Sequence, residues 1–504
     1  MKKLIALTLA IMLALSVGVI GASADDVVNI SMMVYDRGEE FSSGNSLTDN
    51  ELTRWINSQM EPQGVHVNFI AVPRSGADNQ INMMLASNSA PDVIRTYDRQ
   101  RVGTYAKQGG LMDLTPYMDQ LDPDYVAKNA EALKFTQFDG KQYALPGVFG
   151  YHGKSNDAYI RKDLLDKLGM EVPKTREELV KFLYAVKEKF PDIIPFAMGG
   201  KGEIPKFHDW IVSYTSRANE RDNYMYEPTF TLVLKPGHKD ALKELNQLYL
   251  DGIFSPDFVL DNDDSKYNQD IANGKVAFVA HNSDACIRAY DTADDPNYHM
   301  IEFEPFKNAD GNYEVQSQDA ISHYVFVPKA SESRIDAIVK FLRFLTNEEN
   351  AKNIKYSIIG RGSDVVDGVP VKKSNDDLRN LGLTAQGGDI CFMYSNFPFE
   401  RDVLAKNFVA IHPKVPLDVA KQKYDIQYSN YFDKRLIPAA LDSDEKAVLL
   451  QSLIIEFVFK VITAPAGKFE EVYNAEYQKL VNNGLNDVLN DRAAWYDANI
   501  ANKA

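Results

Sequence analysis

The sequence predicts an α/β protein folded as two lobes, and three observations carry that prediction. Segments in the first hundred residues alternate strand, helix, strand, helix, strand, the order that builds a parallel sheet with helices against it. The chain has 504 residues, enough for two or three domains. It shows neither an internal repeat nor a low-complexity linker, so lobes sharing crossing segments are expected rather than domains strung in series.

Residues 1–24 are read as a leader outside the fold. Lys2-Lys3 is a positive start, Leu4–Ile20 an apolar core, and Ala22-Ser23-Ala24 a small-x-small cleavage site, so the mature chain is expected to begin at Asp25. The other reading, an uncleaved anchor, needs a longer apolar run. The net charge is −16, or −18 without the two lysines of the leader. That balance excludes nucleic acid and anionic lipid as natural partners, because their binders need basic patches.

Val27–Tyr35 reads as the first strand and runs into Asp36-Arg37-Gly38. Thr48–Met60 is a helix capped by Thr48 or Asp49, with Trp55 and Ile56 on its apolar side and Gly64 after its end. Val65–Val72 alternates as a second strand, Ala77–Ser87 is a second helix, and Asp92–Tyr97 a third strand. Ligands of such sheets bind beyond the carboxyl ends of the strands. Here those ends are Tyr35-Asp36-Arg37, Pro73-Arg74-Ser75 and Tyr97-Asp98-Arg99. Gly109 or Gly110 is expected to stop a further helix in the left-handed conformation.

Phe138–Met170 has the pattern of a crossing between lobes: a turn at Asp139-Gly140, an apolar run Tyr143–Pro146, then a loop with Phe149, Tyr151, His152, Asn156 and Tyr159. Arg161-Lys162-Asp163 leads from it into a helix that stops at Gly169. A hairpin and helix of some other α/β enzyme fits the same residues. Thr175 and Glu178 form a capping box. Pro195–Gly199 ends a strand before the glycine-rich Gly199-Gly200-Lys201-Gly202, with Phe207, His208 and Trp210 beyond it. Val276–Ala280 is a strand ending in His281-Asn282-Ser283-Asp284, Asp310-Gly311 a hairpin turn, and Ile321–Pro328 a buried strand and second crossing. Lys239–Leu250 and Arg334–Leu345 are helices, Gly360–Val371 is loop, and the chain from Val415 is mainly helical, with Lys446–Val461 its most apolar helix.

No catalytic motif is present: no HExxH, no GxSxG, no GxGxxG after a strand, and no P-loop, since the glycine-rich loop lacks Gly-Lys-Ser/Thr. Asp261–Ser265 faintly resembles a calcium loop, but Lys266 stands where Gly is needed and Ala272 where Glu is needed. Neither cofactor nor metal is expected. No pair stands out among the 71 acids as glycosidase carboxylates. Cys286 and Cys391 are expected to be buried thiols without a disulfide, because a core this large needs no staple.

Six motifs in order give a resemblance. Ser89–Ile94 looks like "APDV" and Tyr105–Tyr117 like "GGL-DLTPY". Tyr159–Gly169 looks like "RKDWLDKLG", with Leu164 in place of Trp, and Val172–Leu179 like "P-T-W-EEL". Asp251–Phe258 with Asn273–Ala277 looks like "DGLIDPDF…GKVGM", and Ile462–Asn499 like the closing helices. The set resembles family 1 extracellular solute-binding proteins, which deliver carbohydrates to ABC importers. The resemblance implies a type II periplasmic-binding-protein-like fold with a hinge between discontinuous lobes. Lobe 1 would be residues 25–145 and 320–385, lobe 2 residues 146–319 and 386–504, with hinges near Ala144–Gly147 and Gln318–Ser322. It implies a monomer that binds an oligosaccharide and passes it to a permease. No Cys lies near the cleavage point, where Gram-positive relatives carry a lipid anchor, so a secreted or surface-associated protein is expected. A secreted polysaccharide-active enzyme, or a glycan sensor or adhesin, remains the alternative.

Sugar rings present apolar faces and many hydroxyls, so their sites need aromatic plates and paired hydrogen bonds; a buried hydroxyl left unpaired costs about 1–3 kcal/mol. Trp210, Tyr151, Tyr97 and Phe149 are the candidate plates, core packing being the other reading of Trp210. Asp36, Arg37, Arg74, Asp98, His208, Asn282 and Asp284 are the candidate polar groups, solvated loop positions being the other reading. Arg161 is expected to be structural, paired with an acid.

Overall fold

The computed structural model describes residues 27–501 except 149–156, 201–205, 256–257, 262, 283–284, 294, 305, 313–314, 317–320, 367, 392–400, 430, 433–434, 436, 438–440 and 442–444. The first sheet is built on β1 (Val28–Asp36), β2 (Val65–Pro73) and β3 (Ile94–Thr96). β1 and β2 pair in parallel from Val28 opposite Val65 to Asp36 opposite Pro73. The Met33 N–H donates to the Val93 carbonyl and the Val93 N–H to the Ser31 carbonyl, which brings β3 alongside β1. A short hairpin, β4 (Gln137–Phe138) and β5 (Lys141–Gln142), precedes β6 (Leu145–Val148). Its two turn residues both need positive φ, which Asp139 (50°) tolerates and Gly140 (74°) favours.

The second sheet begins at β7 (Asp157–Arg161) and takes in β8 (Ile194–Phe196), β9 (Val276–Asn282) and β10 (Met300–Phe303) in the order β10-β7-β9-β8. β11 (Val315–Gln316) is followed by β12 (Ile321–Phe326), which returns to the first sheet and pairs antiparallel with both β3 and β6. β13 (Ser363–Val366) and β14 (Val369–Lys372) form a hairpin, and β15 (Tyr431–Phe432) pairs with β11.

Both sheets are covered on both faces, as successive strand residues point to opposite sides. On β1, Ile30, Met32 and Val34 pack in a core with Ile338 and Phe341, while Met33 and Tyr35 pack in another with Ile81 and Tyr324. In the second sheet Ile160 and Phe278 share a core with Phe182 and Phe457; Tyr159, Val279 and Met300 share another with Phe408. The C-terminal helices Glu445–Ile462, Phe469–Asn482 and Leu485–Asn499 all contribute to the former. The chain passes between the two bodies three times: between Val148 and Asp157, between Gln316 and Ile321, and between Cys391 and Arg401. Cys391 lies in a core of the first body and Cys286 in a core of the second; both are buried and no disulfide joins them.

Several local expectations are corrected. Asn50, not Thr48 or Asp49, caps Glu51–Met60: its side chain accepts from the Leu52 and Thr53 N–H groups and the Thr53 hydroxyl accepts from the Asn50 N–H. Thr175 caps Arg176–Lys189, but Glu178 reaches the Lys174 N–H rather than closing a box on Thr175. At Asp310-Gly311 the chain turns as expected, Gly311 taking φ 83° and the Asn308 N–H donating across the turn to the Asn312 carbonyl (2.7 Å). Residues 360–371 contain the β13–β14 hairpin, whose turn holds Gly368 at φ 82°. The glycine-rich loop has a packing reason at Gly200, where a Cβ would meet the Phe258 carbonyl at 2.6 Å.

His238 provides a test of the second body. Its Nδ1 lies 3.0 Å from the Lys235 carbonyl and its Nε2 2.8 Å from the Tyr473 hydroxyl. The neutral ring therefore donates through Nδ1 and accepts through Nε2. Burial lowers its pKa to about 4. The unfolded chain then binds more protons between pH 6.5 and 4, so this group's contribution is intact above about 6.5 and is lost as the pH falls. The expected loss by pH 4 is about 3 kcal/mol, at 1.36 kcal/mol per pKa unit. Urea unfolding at pH 7, 5.5 and 4 should show a shallower decline for His238→Gln than for the parent; equal slopes would contradict this.

Candidate functional site

The carboxyl ends of β1, β2 and β3 meet the start of β12 and the end of β6, at the edge of the first sheet from which two of the three passages leave. Tyr35 is buried there, and its hydroxyl donates to the Arg95 carbonyl (2.9 Å). Tyr97 stacks on it with ring centroids 5.7 Å apart and planes 16° apart. Tyr97 keeps 39% of its surface exposed, so the pair is a platform with a wet rim.

Three guanidinium groups surround the platform. That of Arg74 lies 5.1 Å from the centroid of Tyr35 and 4.9 Å from that of Tyr97. Those of Arg37 and Arg95 lie 5.6 Å from Tyr35 and 5.1 Å from Tyr97, all within cation–π range. Arg37 donates to both oxygens of Asp389 (2.7 and 3.0 Å), and this bond raises the guanidinium pKa further. The Tyr97 hydroxyl accepts from Arg37 Nη2 (3.2 Å) and Arg95 Nη2 (3.1 Å). Arg95 is itself buried and donates to the Gly388 carbonyl (2.6 Å). His323 Nδ1 stands 3.3 Å from Arg95 Nη2, and its neighbour Ser322 donates to the Gly147 carbonyl (3.2 Å). Behind the platform, burial lowers the pKa of Lys355, and lowers that of Lys372 to about 8.

Of the candidate residues, the fold brings Arg37, Arg74 and Tyr97 together. Asp36 is adjacent and exposed, its carboxylate accepting from the Gly38 N–H (2.8 Å). Asp98 caps the helix Arg99–Lys107 and pairs with Arg101 (2.9 Å). It opens on a groove of about 1040 Å³ between that helix, the helix Ala77–Ala86 and the helix Glu445–Ile462. His208 is largely covered and bonded to its neighbour Asp209 (3.1 Å) in the second body. Asn282 closes β9, its backbone opposite Asp157. Phe149, Tyr151 and Asp284 lie outside the described residues.

Trp210 is corrected from plate to core. It is 2% exposed, its ring sits 5.7 Å from those of both Phe196 and Phe306, and its Nε1 donates to Glu244 (2.8 Å). The short helix His208–Val212 turns this side chain inward against β8, a direction that loop composition does not reveal. Arg95, His323 and Asp389 were missed. A charged residue inside the buried strand Ile94–Thr96 was a readable signal for Arg95, and the ring in ISHYVF for His323. Asp389 had none, because it meets Arg37 across 352 residues.

Among the described residues, no group of three His, Cys, Asp or Glu is placed to hold a metal. In the loop that resembled a calcium site, Asp261 accepts from the Lys266 and Tyr267 N–H groups, and Lys206 pairs with Asp264 (2.7 Å).

Two α/β bodies, each with a mixed sheet, joined by three passages, with a polar-aromatic edge between them, have the form of a two-lobe solute-binding protein. Residues 52–352 match the profile of the bacterial extracellular solute-binding protein family, and the chain belongs to that family. It is similar to the lipoprotein LipO of Bacillus subtilis, 23% identical over 62% of this chain and 65% of that protein. It is also similar to FusA of Streptococcus pneumoniae, a fructooligosaccharide ABC transporter substrate-binding protein, 30% identical over 28% of this chain and 29% of that one. The matches thus span less than two thirds of either curated relative. The crystal structure of an alginate-binding protein superposes with a TM-score of 0.68, at 16% identity, covering 94% of this chain and 99% of that one. The relatives are binding proteins rather than enzymes. Among the described residues, no helix is long and apolar enough to cross a membrane.

Proposed function

We propose that the protein binds an oligosaccharide between its lobes and hands it, unaltered, to an ABC transporter permease. The observation that carries this reading is the Tyr35–Tyr97 platform ringed by guanidinium donors at the edge between the two bodies. Stacking planes and fixed donors suit a sugar's apolar face and oxygens. Family membership supports solute capture, and the sugars that FusA and the alginate-binding protein are named for support a carbohydrate ligand.

The lobes in this reading start from the expected residues 25–145 with 320–385 and 146–319 with 386–504, with the first boundary moved past Val148, which pairs in the first sheet. The third passage moves to between Cys391 and Arg401, because Ile390 and Cys391 pack with the first lobe. Closure would turn on the passages, where a few terminal residues absorb rotation. The protein acts as an extracellular monomer starting at Asp25; intact-mass measurement of the secreted product checks this, and a retained leader or lipid adduct would contradict it.

Thermal-shift screening against an oligosaccharide panel tests the function, since a ligand that binds only the native state raises the melting temperature. Tyr97→Ala should weaken the binding so found by about 5- to 150-fold, the size of one lost stacking contact of 1–3 kcal/mol by analogy with bases on aromatic rings. Its unliganded melting temperature should fall only modestly, because the ring is at the rim and Arg95 and Arg37 keep the Gly388 carbonyl and Asp389 as partners. New reducing ends after incubation would overturn the non-catalytic part of the proposal, and unchanged affinity in Tyr97→Ala would overturn the site.

A further inference from the structure

Resting on the carbohydrate reading of this site, we infer that the ligand is an acidic oligosaccharide whose carboxylate or sulfate group is held by Arg74, with Arg37 and Arg95, beside Tyr97.

The chain carries a net charge of −16, yet its strand ends gather cations. Arg37, Arg74 and Arg95 ring two tyrosines, and Lys355 and Lys372 stand behind them. The acids near this group each have a partner within the chain. Asp389 takes two bonds from Arg37 and stands 3.8 Å from Arg95. Glu39 accepts from the Thr384 hydroxyl and the Ala385 N–H, both at 2.6 Å. Asp36 bonds the Gly38 N–H, and Asp78 bonds Thr96 (3.4 Å) beside Arg101.

Arg74 is the odd member. Other buried or half-buried arginines have oxygen partners: Arg161 sits on Asp163, Arg217 on Glu227 and Arg435 on Glu220, while Arg176 donates to Ser213 and Arg492 to Thr231. Among the described residues the half-buried Arg74 side chain has no ion pair and no hydrogen bond; it rests on the faces of Tyr35 and Tyr97. A guanidinium over ring faces keeps its charge while its N–H donors remain to be used.

The donor count gives the ligand its sign. The Tyr97 oxygen accepts from two guanidinium groups, so its own hydrogen points away from them. What the platform offers is therefore donors: the N–H groups of Arg74, the O–H of Tyr97 and what remains of Arg37. The unpaired donors outnumber the acceptors turned to them: beside the platform, Asp389 is held by Arg37, and Asp36, at the exposed strand end, accepts the Gly38 N–H. A carboxylate or sulfate accepts only, suits the planar fork of arginine, and neutralises like charges that otherwise repel.

Calorimetric titration of the full chain tests this with size-matched tetrasaccharides: galacturonate, alternating mannuronate–guluronate, chondroitin sulfate, methyl-esterified galacturonate, a cello-oligosaccharide and a fructo-oligosaccharide. An acidic member should bind. Replacing its acidic group by a neutral one, by esterification for galacturonate, should weaken binding by roughly 10- to 100-fold, the size of a charge-assisted hydrogen-bond pair. Arg74→Gln should lose a similar factor for the acidic ligand with an unchanged unliganded melting temperature. The uronate and sulfate arms identify which anion is used. Binding of a neutral oligosaccharide but of no acidic one would overturn the inference and leave the carbohydrate reading standing. Binding of none of the six would overturn both.

Discussion

Trp210→Ala is expected to cost about 3–5 kcal/mol of folding stability, the usual result of deleting a fully buried indole. The ring is wedged between Phe196 and Phe306 under the second sheet, so its loss opens a cavity that these neighbours can only partly fill. The substitution also removes the Nε1–H donor from Glu244, leaving that carboxylate the Tyr214 hydroxyl (2.9 Å). Denaturant unfolding of the unliganded variant measures the cost, and titration at a temperature where it remains folded measures affinity. The expected pair is a large stability loss with affinity retained. A stable variant that no longer binds would return Trp210 to the site.

Arg161→Met should be comparably damaging. Arg161 is 1% exposed, bonds Asp163 through Nε and Nη2 (2.6 and 2.8 Å), and donates to the Gly274 carbonyl (2.5 Å). Burial pushes the Asp163 carboxyl up, but the hydrogen bonds and charge of Arg161 outweigh it and hold its pKa below the ordinary value. Removing the cation leaves the buried carboxylate only Lys167 and the His299 N–H, each at 3.3 Å, a loss of about 3–5 kcal/mol at neutral pH. The sign of the pH dependence then separates this from lost packing. In the parent, the Asp163 contribution is present above the unfolded pKa and is lost as the pH falls through the lower folded one. In Arg161→Met the folded pKa rises above that of the parent, so acid costs the variant less and the deficit against the parent should narrow toward pH 4. A deficit constant with pH would mean that packing, not charge, was lost.

The elements with strong periodicity were legible. Val28–Asp36, Val65–Pro73, Arg176–Lys189 and Glu445–Ile462 all lie within one or two residues of their expected ends where an end was assigned, because each buries a defined face against a core. The β13–β14 hairpin was not legible, since four-residue strands with Pro370 in one of them look like loop. Half of the platform was legible for a topological reason: strand ends in a parallel sheet converge, so Arg37, Arg74 and Tyr97 could be proposed without knowing their contacts. The other half depends on where the chain returns. His323 arrives on a strand that pairs antiparallel beside β3, and Asp389 on the four-residue helix Gly387–Ile390 just before the third passage. Trp210 failed because direction, not composition, separates a plate from a core residue, and the helix His208–Val212 points it at Phe196. The structural role expected for Arg161 matches its bidentate bond to Asp163, two residues along the same strand-to-helix junction.

The central claim is that ligand sits on the Tyr35–Tyr97 platform between the lobes. Hydrogen–deuterium exchange with and without the tetrasaccharide that most raises the melting temperature tests it most directly. The account predicts protection in peptides containing Arg37, Arg74, Tyr97, His323 and Asp389. Protection confined to the groove lined by Asn82, Tyr105 and Gln451, with the strand-end peptides unchanged, would contradict it.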